Sequence, residues 1–289
     1  MEGRHTDIPI MLRVHNTNRY LQETLDMIGN QTLSSLIYAF ACEPTQETRG
    51  VLKPYVEHIF TLSEENYRSW SFINRAMELT DEEFIVFLDA DSTPVDVHWL
   101  AWLTGICRRE GAVSAFSRKL PRADAGPLVH RDLTRVYTEE HGLISHNGRH
   151  FFALDGSVFR KSAWINRNFS DQLGAWAAFS WTWQARREGC SVVYAKQARI
   201  LTSPQYLLRH QYRELRNMGA AEALTFSWEP GELKWRTYAF KPAVRHIRED
   251  WAETLHQGRI SPLVYAPILR IVQMIGKYTG FIRAYRRRT

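Results

Sequence analysis

Two aspartates separated by one alanine follow an unbroken apolar run at residues 84–88. The run is rich in Phe, Ile and Val, which predicts a strand buried on both faces. Because side chains alternate along a strand, Asp89 and Asp91 point to the same side and repel each other. A divalent cation such as Mg²⁺ or Mn²⁺ takes oxygen ligands and would remove this repulsion. The alternative is that the aspartates cap the turn at 92–94. Open α/β sheets bind ligands at strand ends, which favours the metal site.

The elements that must position this pair are strands alternating with helices. Strands are predicted at 8–14, 36–42, 56–62 and 84–88, and helices at 16–31, 46–57 and 67–79. This alternation is typical of a mostly parallel, doubly wound α/β sheet with right-handed crossovers.

The second half of the chain is less regular. The pattern predicts a helix at 97–110, a strand at 111–120, a long surface loop at 121–133, a strand ending at a glycine turn within 150–164, a helix at 172–189 and a strand at 191–195. From about residue 205 the sequence is helical to its end, with breaks at 229–232 and at Ser261-Pro262. We therefore predict one catalytic-type domain with a helical C-terminal extension.

Composition narrows the class of protein. With 289 residues, 44% of them hydrophobic, the chain can bury one large core or two modest ones. Three widely spaced cysteines indicate neither a disulfide framework nor a zinc cluster, and they fit a reducing cytoplasm. The polar N-terminus predicts no signal peptide, and no apolar stretch reaches the roughly 18 residues of a membrane span. The net charge of +6 is uneven, because seven Arg and Lys residues and no acidic residue follow Glu253.

Five segments occur in an informative order. They are MLRVHN at 11–16, INRAMEL at 73–79, FIVFLDADSTP at 84–94, SRKLPRADAGPLVHRDLTRVY at 117–137 and LVYAPILRIVQMIGKY at 263–278. Together they resemble glycosyltransferase family 2, and most closely its bacterial rhamnosyltransferase-like members. The resemblance covers nearly the whole chain.

The resemblance implies an inverting enzyme of GT-A fold. Its glycosyltransferase domain would occupy 1–204, with a nucleotide half at about 1–95, an acceptor half at about 96–204 and the helical extension at 205–289. It would transfer a sugar from a UDP- or dTDP-sugar to a glycan or lipid-linked acceptor in bacterial surface polysaccharide synthesis. The implied cofactor is a divalent metal, Mg²⁺ or Mn²⁺.

Several site residues follow from the resemblance. Asp89 would contact the ribose side of the donor, and Asp91 would coordinate the metal on the diphosphate, with Asp89 as the second candidate ligand. The other residues expected to bind the donor are Arg13, His15, Asn16, Glu43 and Asn74. Glu43 would replace the aspartate that reads the base, although its loop is one residue short. His15 is equally well explained as a structural histidine.

The general base does not follow directly from the resemblance. The family places an acidic pair at the start of the helix after the acceptor-side strand, where this sequence has Ala177-Ala178. The chain is then a catalytically impaired sugar-nucleotide-binding relative, or Asp155 or Asp171 supplies the base, or the register differs by several residues. The alternative for Asp155 is a turn aspartate before Gly156, and the alternative for Asp171 is a helix N-cap.

Two features suggest partners. Trp176 belongs to an aromatic cluster that could stack on acceptor sugars, although core packing is the commoner role of such clusters. The basic C-terminal helix could lie on an anionic membrane beside a lipid-linked acceptor, which would localise a cytoplasmic enzyme to the inner face of the plasma membrane. The alternative is a helix packed on the catalytic domain with a basic outer face. No motif indicates nucleic-acid binding.

Overall fold

The computed structural model describes residues 7–15, 19–69, 72–138, 152–226, 228, 235–256 and 261–288. The chain forms two compact units. The first contains the residues up to Asp124 together with Leu133–Ser203. The second contains Ala125–Asp132 and the residues from Pro204 onward.

The first unit is built on one eight-stranded mixed sheet. Its strands are β1 (Ile8–Val14), β2 (Ser35–Cys42), β3 (His58–Leu62), β4 (Phe84–Asp89), β5 (Thr93–Pro94), β6 (Ser114–Pro121), β7 (Ser157–Arg160) and β8 (Val192–Thr202). Their order across the sheet is β3-β2-β1-β4-β7-β6-β8-β5. β1 pairs in parallel with β2 and β4, β2 with β3, and β6 with β8, whereas the pairings of β4 with β7, β6 with β7 and β5 with β8 are antiparallel. The predicted mostly parallel α/β sheet is confirmed.

Helices connect and cover these strands. The α-helices of the described residues are α1 (Leu21–Gly29), α2 (Gln46–Leu52), α3 (Glu64–Ser69), α4 (Ile73–Glu78), α5 (Trp99–Arg109), α6 (Pro127–Val136), α7 (Lys161–Ile165), α8 (Ala177–Arg187), α9 (Leu208–Thr225), α10 (Lys241–His256) and α11 (Ser261–Arg288). A 3₁₀-helix, Asp171–Trp176, precedes α8, and a π-helix, Arg236–Phe240, precedes α10.

The core of the first unit forms where α1, α2 and α5 pack against the sheet. The buried apolar side chains of α1 recur at helical spacing, namely Leu21, Leu25 and Ile28. From α5, the fully buried Trp99 donates a 2.9 Å hydrogen bond from its indole nitrogen to the Ser117 hydroxyl. All five apolar residues of β4 are buried. This packing fixes β4 inside the sheet, so that the strand delivers Asp89 to its carboxyl end.

The structure differs from the sequence prediction at several places, including the following three. The segment 121–133 is not a surface loop throughout, because α6 begins at Pro127. Proline suits the first position of a helix, where its fixed φ is already helical and its missing N–H has no partner to lose. Within 150–164, whose first two residues lie outside the described ranges, the strand is only β7, which follows the turn at Gly156 instead of ending there. The predicted helix at 67–79 is two helices, α3 and α4.

The second unit is helical, and its longest helices, α9 and α11, pack with their backbones in contact. A Cβ added at Gly276 of α11 would lie 2.6 Å from the Tyr212 carbonyl oxygen of α9. A Cβ added at Gly280, one turn further on, would overlap the Arg216 carbonyl oxygen. Glycine therefore lets the two helices approach closely. The predicted break at 229–232 lies outside the described residues.

Buried charges join α6, α10 and α11 within the second unit. The Arg270 guanidinium donates 2.8 Å hydrogen bonds to both carboxylate oxygens of Asp132 and to Asp250 Oδ2. Asp250 also pairs with Arg131, which in turn pairs with Glu249 at 3.0 Å. Arg270 is therefore part of the interior and not of the basic surface of α11. In the part of the chain that the structure describes, no helix has the length and apolar character needed to cross a bilayer.

Candidate functional site

Asp89 is held at the end of β4 by its neighbour in the sheet. β1 and β4 run parallel with Arg13 opposite Asp89, and the Arg13 Nε lies 3.0 Å from Asp89 Oδ1. The Arg13 guanidinium also lies over the Tyr67 ring, 4.8 Å from its centroid. About a fifth of each side chain of the ion pair is exposed. Two predicted donor-binding residues, Arg13 and Asp89, therefore contact each other at the rim of the sheet.

The chain turns sharply after Asp89. The Ala90 amide donates to the Arg13 carbonyl at 2.9 Å, and the Ser92 amide donates to the Asp89 carbonyl at 2.9 Å. Ala90 and Ser92 are buried, whereas Asp91 between them is partly exposed. The turn therefore presents the second aspartate at the surface beside the first.

Asp155 fastens this turn from beneath. Its Oδ1 accepts a 2.8 Å hydrogen bond from the Asp89 amide, and its Oδ2 accepts one of 2.8 Å from the Ser92 hydroxyl. Oδ2 is also paired with the Lys119 ammonium. Both oxygens of this buried carboxylate are thus engaged in positioning the aspartate pair, and this arrangement disfavours the general-base role predicted for Asp155.

Gly156 makes this position of Asp155 possible. Its φ of 74° lies in the left-handed region, and a Cβ there would be 2.5 Å from Ile200 Cδ1. Its amide donates to the Phe87 carbonyl of β4 at 2.9 Å. Asp155 is therefore a turn aspartate before Gly156, as the alternative for it proposed. Its carboxylate stabilises the turn that follows β4.

Asp89 and Asp91 hold their protons unusually tightly. Burial raises the pKa of Asp89 to about 7, an effect that Arg13 opposes and that Asp155 and Asp91 reinforce. Burial, followed by the charge of Asp155, also raises the pKa of Asp91. Burial alone would lower the pKa of Lys119, but Asp155 and the other neighbouring groups, Tyr137 and Asp89, together outweigh it and raise that pKa. When all three carboxylates are ionised, three negative charges face two positive ones, Arg13 and Lys119, which leaves one negative charge.

The side-chain amide of Asn74 is engaged by neighbouring residues of the protein. Its Oδ1 accepts from the Phe169 amide at 3.0 Å and from Trp164 Nε1 at 3.1 Å. Its Nδ2 donates to the Phe169 carbonyl and to Asp171 Oδ1, both at 2.9 Å. Both amide atoms are engaged by the protein, so Asn74 fixes the segment from Trp164 to Asp171, and this arrangement disfavours the donor contact predicted for it.

The remaining predicted acidic and donor-side residues lie at chain ends and turns. Asp171 is exposed and is the first residue of the 3₁₀-helix, whose N-cap is Ser170, so it is not the cap. Glu43 follows β2 in a left-handed conformation with φ of 38°, and its amide donates to the Leu62 carbonyl at 3.0 Å. His15 follows β1, is exposed, and lies with its ring 5.7 Å from that of Tyr67. Asn16 lies outside the described residues.

Trp176 and the two alanines lie together at the start of α8. Trp176 ends the 3₁₀-helix and packs edge-on against Phe179 with ring centroids 6.0 Å apart. Its indole Nε1 is buried and has no hydrogen-bond partner among the described residues. Ala177 and Ala178 open α8 and are each 1% exposed. The helix therefore begins where the resemblance expects the acidic pair, but the side chains there are short and buried.

Two cationic residues of this region carry no role in the sequence prediction. Lys119 lies on β6 and neutralises Asp155. Arg122, just beyond β6, is 6% exposed, forms a bidentate ion pair with Glu23 at 2.9 Å and lies over the Tyr20 ring at 3.7 Å. Both lie in the segment SRKLPR at 117–122, where basic residues in and directly after a half-apolar strand are a signal of buried ion pairs.

The order and pairing of the strands match the GT-A fold of the similar solved structures. Among solved structures, the chain is similar to a mannosyltransferase from Pyrobaculum calidifontis in complex with GDP-Man and Mn²⁺ (13% identity, 98% of this chain and 88% of that chain, TM-score 0.60). It is also similar to S. aureus TarS (13% identity, 98% and 92%, TM-score 0.53). A third similar structure is the Mycobacterium tuberculosis glucosyl-3-phosphoglycerate synthase with Mn²⁺ and UDP (13% identity, 78% and 82%, TM-score 0.52). No family model and no curated protein sequence matches the chain. At these identities the likeness establishes the fold.

Proposed function

We propose that the protein is a metal-dependent inverting glycosyltransferase whose donor is a UDP- or dTDP-sugar. The observation that carries this proposal is the aspartate pair at the end of β4, where full ionisation of Asp89, Asp91 and Asp155 leaves one negative charge beyond what Arg13 and Lys119 neutralise. A divalent cation removes that excess, and carboxylate oxygens are the ligands that Mg²⁺ and Mn²⁺ prefer. The fold supports the proposal, because the similar structures include complexes with a nucleotide sugar or nucleotide and Mn²⁺.

Several residues of the first unit would bind the metal and the donor. Asp91, which the turn presents partly exposed, would hold the metal, with Asp89 beside it and kept in place by Arg13. When bound, the metal neutralises the charge that develops on the leaving diphosphate. Asp155 and Lys119 would keep the turn rigid beneath the two ligands. His15 and Glu43, at the ends of β1 and β2, would contact the nucleoside.

In the proposed reaction, an acceptor oxygen bonds to the anomeric carbon as the bond from that carbon to the diphosphate breaks. The acceptor proton must pass to a base. Asp171 is the better candidate for that base, because it is exposed and only its Oδ1 accepts a hydrogen bond from Asn74, whereas both oxygens of Asp155 are engaged. Trp176, whose buried indole N–H has no partner among the described residues, would contact the acceptor.

A second function is favoured by one specific observation. Ala177 and Ala178 occupy the first turn of α8, where the resemblance expects an acidic pair, and alanine accepts no proton. The protein would then bind a nucleotide sugar without transferring it. Asp171 separates the two functions, because it supplies a base in the first and has no chemical role in the second.

The test is a calorimetric titration of nucleotide sugars with and without Mn²⁺, followed by a turnover assay. Asp91→Asn should weaken metal-dependent binding at least about tenfold, since loss of groups that hold a metal typically costs that much or more. Asp81→Asn is the matched control, because Asp81 is exposed and lies near the opposite end of the same strand. Unchanged binding in Asp91→Asn would remove the metal assignment. Binding without turnover would favour the non-catalytic function, and turnover lost in Asp171→Asn would favour the enzyme.

We also propose that α11 holds the protein at the anionic inner face of the plasma membrane, beside a lipid-linked acceptor for surface polysaccharide. Four exposed apolar residues of α11 recur at helical spacing, namely Val264, Ile268, Ile271 and Ile275. Exposed Arg283, Arg286 and Arg287 follow on the same helix, and α11 has no acidic residue. An apolar stripe continued by cationic residues complements a membrane of anionic lipids.

Vesicle binding tests this surface. Ile268→Asp should reduce co-sedimentation with phosphatidylglycerol vesicles, whereas Ile165→Asp, at an even more exposed apolar residue of the first unit, should not. Equal losses in the two variants, or equal binding to uncharged phosphatidylcholine vesicles, would contradict the proposal.

A further inference from the structure

Three neighbouring strand ends bring a histidine, a cysteine and a glutamate together. In the parallel pair β1 and β2, Val14 lies opposite Ala41, so that the next residues, His15 and Cys42, are neighbours. In the parallel pair β2 and β3, Cys42 lies opposite Leu62, and Glu64 opens α3 two residues later. The ligand atoms of His15, Cys42 and Glu64 all lie within 4.8 Å of one another. The cluster is thus a product of the sheet topology, which the wide spacing of the cysteines in the sequence conceals.

The three side chains differ in accessibility. Cys42 is 4% exposed, and its thiol donates a 2.8 Å hydrogen bond to Glu64 Oε2. Glu64 is half-buried, and His15 is exposed with its ring against Tyr67. A buried sulfur is therefore already aligned with a carboxylate, and the imidazole lies on the solvent side, from which an ion would enter.

The donor set indicates which ion would bind. A tetrahedral Zn²⁺ has bonds of about 2.0–2.3 Å to Cys, His and carboxylate ligands, which separates the ligand atoms by roughly 3.3–3.8 Å. Separations of up to 4.8 Å reach that geometry through small side-chain movements. Mg²⁺ and Mn²⁺ prefer sites made of oxygen alone, such as the aspartate pair, whereas a thiolate selects softer ions.

We propose that His15, Cys42 and Glu64 form a second metal site, which binds a thiophilic divalent cation of the Zn²⁺ class. On binding, a bond forms between the metal and the Cys42 sulfur, and the thiol proton passes to solvent. His15 binds as the neutral imidazole and Glu64 as the carboxylate. These three ligands leave a fourth tetrahedral position for water or another small ligand. The site is separate in its ligands and in its preferred ion from the pair Asp89 and Asp91.

Cobalt titration of the metal-free full chain tests the site without any activity assay. Co²⁺ should bind with a near-ultraviolet thiolate-to-cobalt charge-transfer band, which oxygen ligands alone do not produce. Cys42→Ser should abolish the band. His15→Ala, at an exposed residue, should weaken Co²⁺ binding at least about tenfold and still fold. Cys190→Ser is the matched control, because Cys190 is the partly exposed cysteine outside the cluster, and Asp91→Asn should leave the band unchanged.

The Co²⁺ spectra of the wild type and its variants decide whether His15, Cys42 and Glu64 form a metal site. A band in the wild type, Cys190→Ser and Asp91→Asn that is lost in Cys42→Ser and weakened in His15→Ala supports the site. The absence of a band in the folded wild-type protein overturns it. A band that persists in Cys42→Ser assigns the thiolate elsewhere and also overturns it. If Cys42→Ser does not fold, an unchanged Co²⁺ affinity in His15→Ala also overturns the proposed site.

Discussion

The ion pair between Asp155 and Lys119 should contribute strongly to stability, and Asp155→Asn is the substitution that removes it most conservatively. Asparagine keeps the size of the side chain and an oxygen that accepts a hydrogen bond from the Asp89 amide. It removes the negative charge that Lys119 requires. The side chains of Lys119 and Asp155 are 15% and 10% exposed, so water replaces little of the lost interaction.

The magnitude follows from the surroundings of the pair. Removing one partner of a buried ion pair typically costs about 3–5 kcal/mol. Asp155 also raises the pKa of both Asp89 and Asp91, so its removal relieves repulsion among the three carboxylates. We therefore expect the lower end of the range, a loss of about 3 kcal/mol in the free energy of unfolding. Replacing both partners, as in Asp155→Asn with Lys119→Met, should cost less than the sum of the single changes, because no buried charge is left unpaired.

Urea unfolding followed by circular dichroism measures these changes, with unchanged m-values as the sign that the transition is comparable. Asp81→Asn, at an exposed carboxylate, should stay within about 0.5 kcal/mol of the wild type. A double-mutant cycle should give a coupling energy of at least about 1 kcal/mol between Asp155 and Lys119. Two results would contradict this reasoning: Asp155→Asn is as stable as the wild type, or the stability losses of the two single variants simply add in the double variant. The ion pair of Asp155 and Lys119 would then not stabilise the turn after β4.

Three further predictions concern stability. Gly280→Ala should lower the free energy of unfolding by about 1–3 kcal/mol, because its Cβ would overlap the Arg216 carbonyl oxygen. Gly105→Ala, with nothing within 4 Å, should raise it by about 0.5–1 kcal/mol, and thermal unfolding that moves both variants the same way would contradict the close helix contact. Metal-free stability should fall as the pH rises from near 4 to above 7, because folded Asp89 has a pKa of about 7 against 3.8 ordinarily and so binds its proton more tightly than the unfolded chain does. Urea unfolding in chelator across this range should give a flatter profile for Asp89→Asn, and identical profiles would refute the assignment. Asn74→Ala, which removes four hydrogen bonds, should cost about 2–3 kcal/mol in urea unfolding, and a loss below about 0.5 kcal/mol would show that this amide is not structural.

The strands that carry the candidate site could be predicted, because each is a mostly apolar run that is recognisable from its own residues. β1, β2 and β4 are each buried over most of their length, so their sequences carry the signal without any knowledge of their partners. The placement of Asp89 at a strand end follows from the same reasoning. Its pairing with Arg13 depends on the register between β1 and β4, which local pattern does not encode.

The contacts made by Asp155 mark the limit of such reasoning. Lys119 is 36 residues away in sequence, and the two meet because the antiparallel β7 lies between β4 and β6. Nothing in the local sequence specifies that insertion. The helix α6 could have been predicted from the sequence, because Gly126-Pro127 is as typical of a helix start as of a turn. Its buried residues include Leu128 and Leu133. The segment 121–133 that contains them is rich in turn-forming residues, which favoured the prediction of a loop.

The assignment of Ala125–Asp132 to the second unit has a practical consequence. A chain shortened to end at Ser203 would retain this octet while losing every helix that contributes its partners. Arg131 and Asp132 would be left without Asp250 and Arg270, and Leu128 would lose the apolar cluster formed with α11. The helical unit is therefore discontinuous in sequence, and its clean removal requires the octet to be replaced as well as the residues from Pro204 onward to be deleted.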